Sequence, residues 1–294
     1  MSELKARRAF LHAITPLHPG TGQSVDVVDL PVAREKATGW PVVPGSSVKG
    51  TLRSECADKP TKERLFGKED SGGPISFTDM RLLCLPVRSY FGTFAWVTSP
   101  LALRRFERDD VALGAKEQLW ALDKGAGIAV TDEACLLPAA ASQSGAVAGA
   151  APNSALVRKG RVCFEDLNFT GTASAVAATV GEALSDVTGI DRDTFVKRFA
   201  IVSDMAFDFL CETGTEVAAR IALGEDGTTS GKGGNLWYEE AVPAESIFCG
   251  WAIESGASRD ALPDAWKIVE AAKTIQIGGN ATVGRGICRL VVKA

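Results

Sequence analysis

Histidine and tyrosine are scarce: the 294 residues hold two of each, and the histidines are His12 and His18. No Gly-x-Ser-x-Gly elbow is present either, so a serine-hydrolase triad is poorly supported. The seven cysteines form no Cys-x-x-Cys pair and none lies near a histidine in sequence, which argues against structural zinc. Their odd number, in a chain without an export signal, points to buried reduced thiols. The glycine-rich segments lack the helix and trailing acidic residue of a dinucleotide fingerprint, and the lysine-Ser/Thr ending of a P-loop. No apolar run reaches the roughly 20 residues that cross a bilayer. Met1–Arg8 has no apolar segment or cleavage site of a signal peptide, so the expectation is a cytoplasmic protein with no membrane partner. An overall basic excess is missing too, the net charge being −4. That weighs mildly against a nucleic-acid partner, but the charge is unevenly placed. Residues 1–105 hold 15 basic and 10 acidic side chains, whereas residues 106–294 hold 17 and 26. RNA binding requires a local basic track, not a basic chain.

What is present reads as a soluble α+β chain, 46% hydrophobic and 23% charged, without internal repeats. A strand is expected over Arg7–Ile14, with Phe10, His12 and Ile14 on one face and Leu11 and Ala13 on the other. Pro16, Pro19, Gly20 and Gly22 then force irregular backbone. A short helix is expected to open at Ser46 or Ser47, either of which can cap it. Val48 and Leu52 form its apolar face and Lys49 and Arg53 the opposite one. Further strands are expected over Ile75–Leu85 and Arg161–Phe169. Helices are expected from Ser99, over Asp191–Phe199 and near Ala265–Thr274. Residues 139–152 are small, alanine-rich and low in complexity, as in a surface loop or insertion. Thr215–Leu223 and Trp237–Val242 flank the polar stretch EDGTTSGKGGN and read as a protruding hairpin.

Four segments carry chemistry. In HPGTGQSVDVVDLPVARE (18–35), Asp26 and Asp29 lie in a loop-like stretch. A carboxylate there can serve as a general base on a 2′-hydroxyl or hold a divalent metal; it can equally satisfy turn amides. His18, near them, is able to shuttle a proton or simply brace the loop. In PVVPGSSVKGTLRS (41–54), a helix N-terminus at Ser46 and Ser47 offers free amides to a phosphate, with Lys49 and Arg53 adding charge. The plainer reading is a capped surface helix with two solvated cations. In IGGNATVGRG (277–286), Gly278, Gly279 and Arg285 suit a phosphate-binding nest or a tight hairpin turn. In LWYEEAVP (236–243), Trp237 and Tyr238 can stack on bases, and Glu239 and Glu240 can assist at a cleavage site; core aromatics and solvent-facing glutamates are the plainer reading.

Taken in this order, HPGTG, VVDLPVARE, PVVPGSSVKGTLR, LFG, PVRSYFGTFAWVTSPLALRRF, LWYEEAVP and IGGNATVGRG resemble the backbone subunit of Cmr-type (type III-B) CRISPR complexes. That subunit is a member of the RAMP superfamily, and the resemblance covers nearly the whole chain. It implies a single RAMP domain over residues 1–294, with a ferredoxin-like (RRM-like) core and a thumb hairpin at about 215–242. Only the alanine-rich stretch 139–152 has no counterpart. The implied protein is an antiviral ribonucleoprotein subunit and endoribonuclease. Its implied partners are a CRISPR guide RNA, single-stranded target RNA, further copies of itself and other Cmr subunits. Copies would stack along the guide and cut the paired target at regular intervals. Asp29, in VVDLP, matches the family's cleavage position; Ser46, Ser47, Lys49, Arg53, Gly278, Gly279 and Arg285 match its guide-binding surface. A divalent ion, Mg or Mn, is implied as cofactor, with no preformed cage visible in the sequence. Two alternatives remain at this level: a non-catalytic RNA-binding backbone, or the sister Csm-type (type III-A) subunit.

Overall fold

The computed structural model describes residues 5–22, 28–68, 70–120, 122, 128–139, 153–221 and 236–293. The chain opens with β1 (Ala6–Ala13), β2 (Val42–Val43), α1 (Gly45–Ser54) and α2 (Lys59–Phe66). The small hairpin β3 (Gly67–Lys68) and β4 (Ser71–Gly72) leads to β5 (Ile75–Phe77), β6 (Met80–Ser89) and β7 (Thr93–Thr98). Next come α3 (Pro100–Ala112), β8 (Ala134–Pro138), β9 (Arg161–Phe164) and β10 (Leu167–Ser174). They are followed by α4 (Ala175–Thr188), α5 (Arg192–Lys197), β11 (Phe199–Ile201) and α6 (Asp204–Thr213). The hairpin β12 (Glu216–Ile221) and β13 (Leu236–Ala241), then β14 (Ile247–Glu254), α7 (Leu262–Ala271), β15 (Thr274–Gln276) and β16 (Ile287–Lys293) complete the described chain.

The main sheet runs β15–β16–β1–β14–β6–β7–β11–β8–β10–β9. β6 also meets β9 where Ser89 faces Phe164, so its second half curls back on itself like a barrel. β7–β11 and β8–β10 pair in parallel, which makes this a mixed α/β architecture. β1 shows how the core is built. Successive strand side chains point to opposite faces, so Ala9, Leu11 and Ala13 join one apolar cluster while Phe10 joins another. β14 repeats the pattern, with Phe248 and Ala252 on the first side and Ile247, Cys249 and Trp251 on the second. The first cluster is roofed by Val48 and Leu52 of α1, Phe207 and Leu210 of α6 and Trp266 and Val269 of α7. The second is roofed by Leu103 and Phe106 of α3, Val180 and Leu184 of α4 and Phe195 of α5. Six of the seven cysteines are buried thiols; Cys163 is partly exposed.

Several boundaries differ from expectation. α1 begins at Gly45 with Pro44 as its cap residue, so Ser46 and Ser47 lie inside the first turn and neither caps it. Instead Asp79 Oδ1 accepts from the Gly45 amide at 2.9 Å. A Cβ on residue 45 would sit 2.3 Å from the Phe77 carbonyl oxygen, which is why glycine starts the helix. The expected strand Ile75–Leu85 is broken at Thr78 and Asp79, because Asp79 turns to α1 and the Thr78 hydroxyl accepts from the Trp251 amide. The expected strand Arg161–Phe169 is a hairpin: Glu165 takes a positive φ of 45° and reverses the chain between β9 and β10. Ser99 and Asp191 cap α3 and α5 through their side chains. The expected hairpin around 215–242 exists as the separate pair β12–β13, in register from Glu216–Ala241 to Ile221–Leu236. Its tip, EDGTTSGKGGN, lies outside the described residues, as does nearly all of the alanine-rich stretch.

Candidate functional site

Four segments converge at the base of the β12–β13 hairpin. Leu17 pairs with Val242, just past the end of β13, and Gly20 pairs with Val32. The segment after residue 27 runs alongside β13: the Leu30 amide donates to the Tyr238 carbonyl at 3.1 Å and the Glu240 amide to the Leu30 carbonyl at 3.0 Å. Asp29, half-buried, is held in this ladder by its side chain, with Oδ2 accepting from the Tyr238 amide at 2.8 Å. Asp26 lies outside the described residues.

His18 is buried in the same place. Its Nδ1 donates to the Glu240 carbonyl at 2.6 Å, while its own carbonyl accepts from the Gly279 amide at 2.9 Å. A Cβ on residue 20 would lie 2.6 Å from His18 Nε2, and one on residue 278 would lie 2.5 Å from the His18 oxygen. The glycines of HPGTG and IGGN are therefore needed to let two loops close on one imidazole.

The adjacent glutamates face opposite ways, as neighbours on a strand must. Glu240 Oε2 accepts from the Val32 amide at 2.9 Å, and Oε1 accepts from Arg34 at 2.6 Å and the Thr215 hydroxyl at 2.7 Å. Burial pushes this carboxyl up, but the Val32 amide, Arg34 and Thr215 outweigh it and hold it below its ordinary value. Its oxygens brace the hairpin to the strand-like run after Asp29. Glu239 points into a basic cluster, with Arg285 Nε 3.3 Å from Oε1 and Arg220 Nε 3.6 Å from Oε2. Arg285 and Glu239, proposed from sequence for RNA contact and for cleavage, thus face each other.

Lys49 and Arg53 stand elsewhere, on α1. Arg53 donates to the Gly67 carbonyl at the end of α2. Lys49 has no acidic partner among the described residues; burial, then the charge of Arg53, lowers its pKa. An uncompensated, partly buried ammonium is suited to an incoming anion. Ser46 is exposed and Ser47 half-buried beside it. No ion pair joins this helix to the Asp29 cluster among the described residues. Residues that sequence reasoning passed over include Asp79, Arg34 and Thr215; their partners lie far off in sequence, so no local pattern announces them.

A buried sheet with a projecting hairpin, and a carboxylate held at its root, defines the class. The model of the RAMP superfamily matches residues 10–289. The chain is 32% identical to the Pyrococcus furiosus protein named CRISPR system Cmr endoribonuclease Cmr4, across 99% of this chain and 96% of that one. The chain therefore belongs to the RAMP superfamily and, within it, to the Cmr4 family. The crystal structure of oligomeric Cmr4 from the same organism superposes with a TM-score of 0.74 at 28% identity, covering 99% of both chains. A chain of the type III-B Cmr-beta assembly bound to cognate target RNA shares the fold, with a TM-score of 0.73 at 19% identity over 98% of this chain and 96% of that one.

Proposed function

We propose that this chain is the repeated backbone of a type III-B effector, binding guide RNA along a filament of its own copies and cutting the paired target RNA at regular intervals. The observation that carries this reading is the Asp29 carboxylate, held by the Tyr238 amide at the root of the hairpin. The P. furiosus relative's name, an endoribonuclease, supports cleavage as the activity. The order β16–β1–β14–β6, antiparallel throughout, with α1 after β1 and α7 between β14 and β16, supports a ferredoxin-like (RRM-like) core. The β12–β13 hairpin is the thumb that parts the guide–target duplex. Lys49, with Ser46 and Ser47 beside it, contributes to the guide-binding surface. No described helix is long and apolar enough to cross a membrane, and the cytoplasm is the proposed compartment.

In the proposed reaction a splayed target nucleotide brings its 2′-hydroxyl into line with the adjacent phosphorus, a geometry that regular A-form RNA does not supply. Asp29 takes the hydroxyl proton, the 2′-oxygen bonds to phosphorus, and the bond to the 5′-oxygen breaks. That oxygen takes a proton from water. The products are a 2′,3′-cyclic phosphate and a 5′-hydroxyl. Among the described residues no group of three His, Cys, Asp or Glu side chains is placed to hold a metal ion. The described residues do not fit a protein-built Mg or Mn cage.

The test is a complex reconstituted with guide RNA and partner subunits, given end-labelled complementary RNA. Asp29→Ala is expected to leave assembly and target binding intact and to lower cleavage by about 10²–10⁴-fold. Wild-type cutting by this variant would move the catalytic group elsewhere; loss of assembly would make Asp29 a turn carboxylate only.

A further inference from the structure

The pair Arg285–Glu239 supports a role for Arg285 other than the phosphate contact its glycine-rich setting suggests; the inference rests on Asp29 being the catalytic carboxylate. The side chains of Arg285 and Glu239 are only 11% and 3% exposed, and Arg285 Nε lies 3.3 Å from Glu239 Oε1. A guanidinium so enclosed presents little surface to a phosphate. Arg220, also near Glu239, is 35% exposed at 3.6 Å, so Arg285 is the cation buried with that carboxylate.

The loop that carries Arg285 is fastened independently. The Ile277 amide donates to the Gly286 carbonyl and the Gly286 amide to the Pro16 carbonyl, each at 2.9 Å. The Gln276 side-chain amide donates to the carbonyls of Ala281 and Arg285 at 2.8 and 3.0 Å. A Cβ on residue 286 would lie 2.0 Å from the Ile277 oxygen, so the loop has no slack there. Arg285 is thus a fixed charge, and Glu239 of β13 faces it as a buried ion pair without a hydrogen bond, Glu239 Oε1 and Arg285 Nη1 both lacking a hydrogen-bond partner among the described residues. The residue before Glu239 is Tyr238, whose amide holds the Asp29 carboxylate at 2.8 Å. The backbone around Asp29 follows β13 as well, through Leu30.

We propose that Arg285 is a positioning residue: by pairing with Glu239 it sets the seat of β13, and through the Tyr238 amide it aims the Asp29 carboxylate. Misplacement of a reacting group by about 1 Å costs on the order of 10²-fold in rate. Arg285→Ala, which strands a buried carboxylate, is expected to lower the single-turnover rate at saturating target by about that factor. The target concentration for half-maximal rate and the salt slope of guide binding should stay as in wild type. Arg285→Lys keeps a cation against Glu239 and should recover most of the rate. Glu239→Gln, close in size and uncharged, should reproduce the rate loss, and it carries the test should Arg285→Ala fold poorly.

A guide-binding salt slope reduced by roughly 0.7 in Arg285→Ala, one phosphate contact on single-stranded RNA, would overturn the proposal. So would a wild-type rate in a folded Arg285→Ala, a wild-type rate in Glu239→Gln, or a failure of Arg285→Lys to recover activity. Asp29→Ala is run in parallel. If it is inactive while Arg285→Ala cuts normally, the positioning role alone falls. If Asp29→Ala itself cuts, the catalytic reading falls and takes this proposal with it.

Discussion

At the residue scale, Glu239 and Glu240 show what one strand position decides. Sequence offers two adjacent glutamates as equivalent assistants to cleavage. The pleat separates them, giving Glu239 to Arg285 and Glu240 to Val32, Arg34 and Thr215. Because the Glu240 carboxyl is held below its ordinary value of 4.5, the folded state favours its ionised form. The stability it contributes is full above that ordinary value and is lost as pH falls through the lower native one. Glu240→Gln should therefore destabilise the chain by about 2 kcal/mol at pH 7, since it breaks the buried pair with Arg34. The gap between variant and wild type should narrow from pH 7 to pH 3, as the pH falls below 4.5 towards the lower native value. Denaturant unfolding at both pH values measures it; a gap that persists unchanged in acid would show that the ionised carboxylate is not the stabilising species. Asp29 could be singled out in sequence only by the motif around it. Nothing local showed that its partner would be a backbone amide of the distant hairpin.

At the element scale, legibility follows the strength of the local signal. β1 was legible because a regular strand alternates, and caps such as Ser99 and Asp191 marked α3 and α5. α4 carries a weak local signal, because its small residues, AVAATVGEAL, blur the apolar stripe. α1 was legible as a helix, but its start was not, since Asp79 satisfies its first amide from another strand. The same helix separates two cations that sequence treats alike. Arg53 ties α1 to the Gly67 carbonyl, whereas Lys49 has no acidic partner among the described residues. Lys49→Ala should flatten the salt dependence of guide binding by roughly 0.7 with no loss of thermal stability. Arg53→Ala should instead destabilise the fold by about 1.5 kcal/mol, the contribution of a hydrogen bond from a charged donor. Binding across a salt series, paired with thermal melts, distinguishes them. An unchanged slope in Lys49→Ala would remove that lysine from the RNA track.

At the scale of the whole molecule, the sheet order could not be read from the chain, because β1 lies between β14 and β16, elements from the other end of the sequence. Long-range pairing of this kind leaves no local trace: residue patterns alone point to an α+β chain with a protruding hairpin, and only the family resemblance implies how the core strands are ordered. That separation makes the hairpin open to surgery. β12 and β13 pair with each other and not with the main sheet. Val217, Ile221, Leu236 and Tyr238 on it are exposed. The hairpin is anchored at its root by Glu240 and by the ladder to Leu30. The last described pair is Ile221–Leu236, so a two-residue Asn-Gly turn can replace residues 222–235 without breaking the register. The shortened chain should melt within about 3 °C of wild type, since the removed residues are mostly small or polar and the contacts at the hairpin's root are kept. Asp29 keeps its anchor, because Tyr238 lies two residues inside the retained strand. If the hairpin is the thumb that splays the target, the shortened chain should still bind guide and target. It should cut at much lower efficiency or lose the regular spacing of its products. Mapping product ends on a long end-labelled target decides this: wild-type spacing and yield would exclude the removed segment from the parting of the duplex.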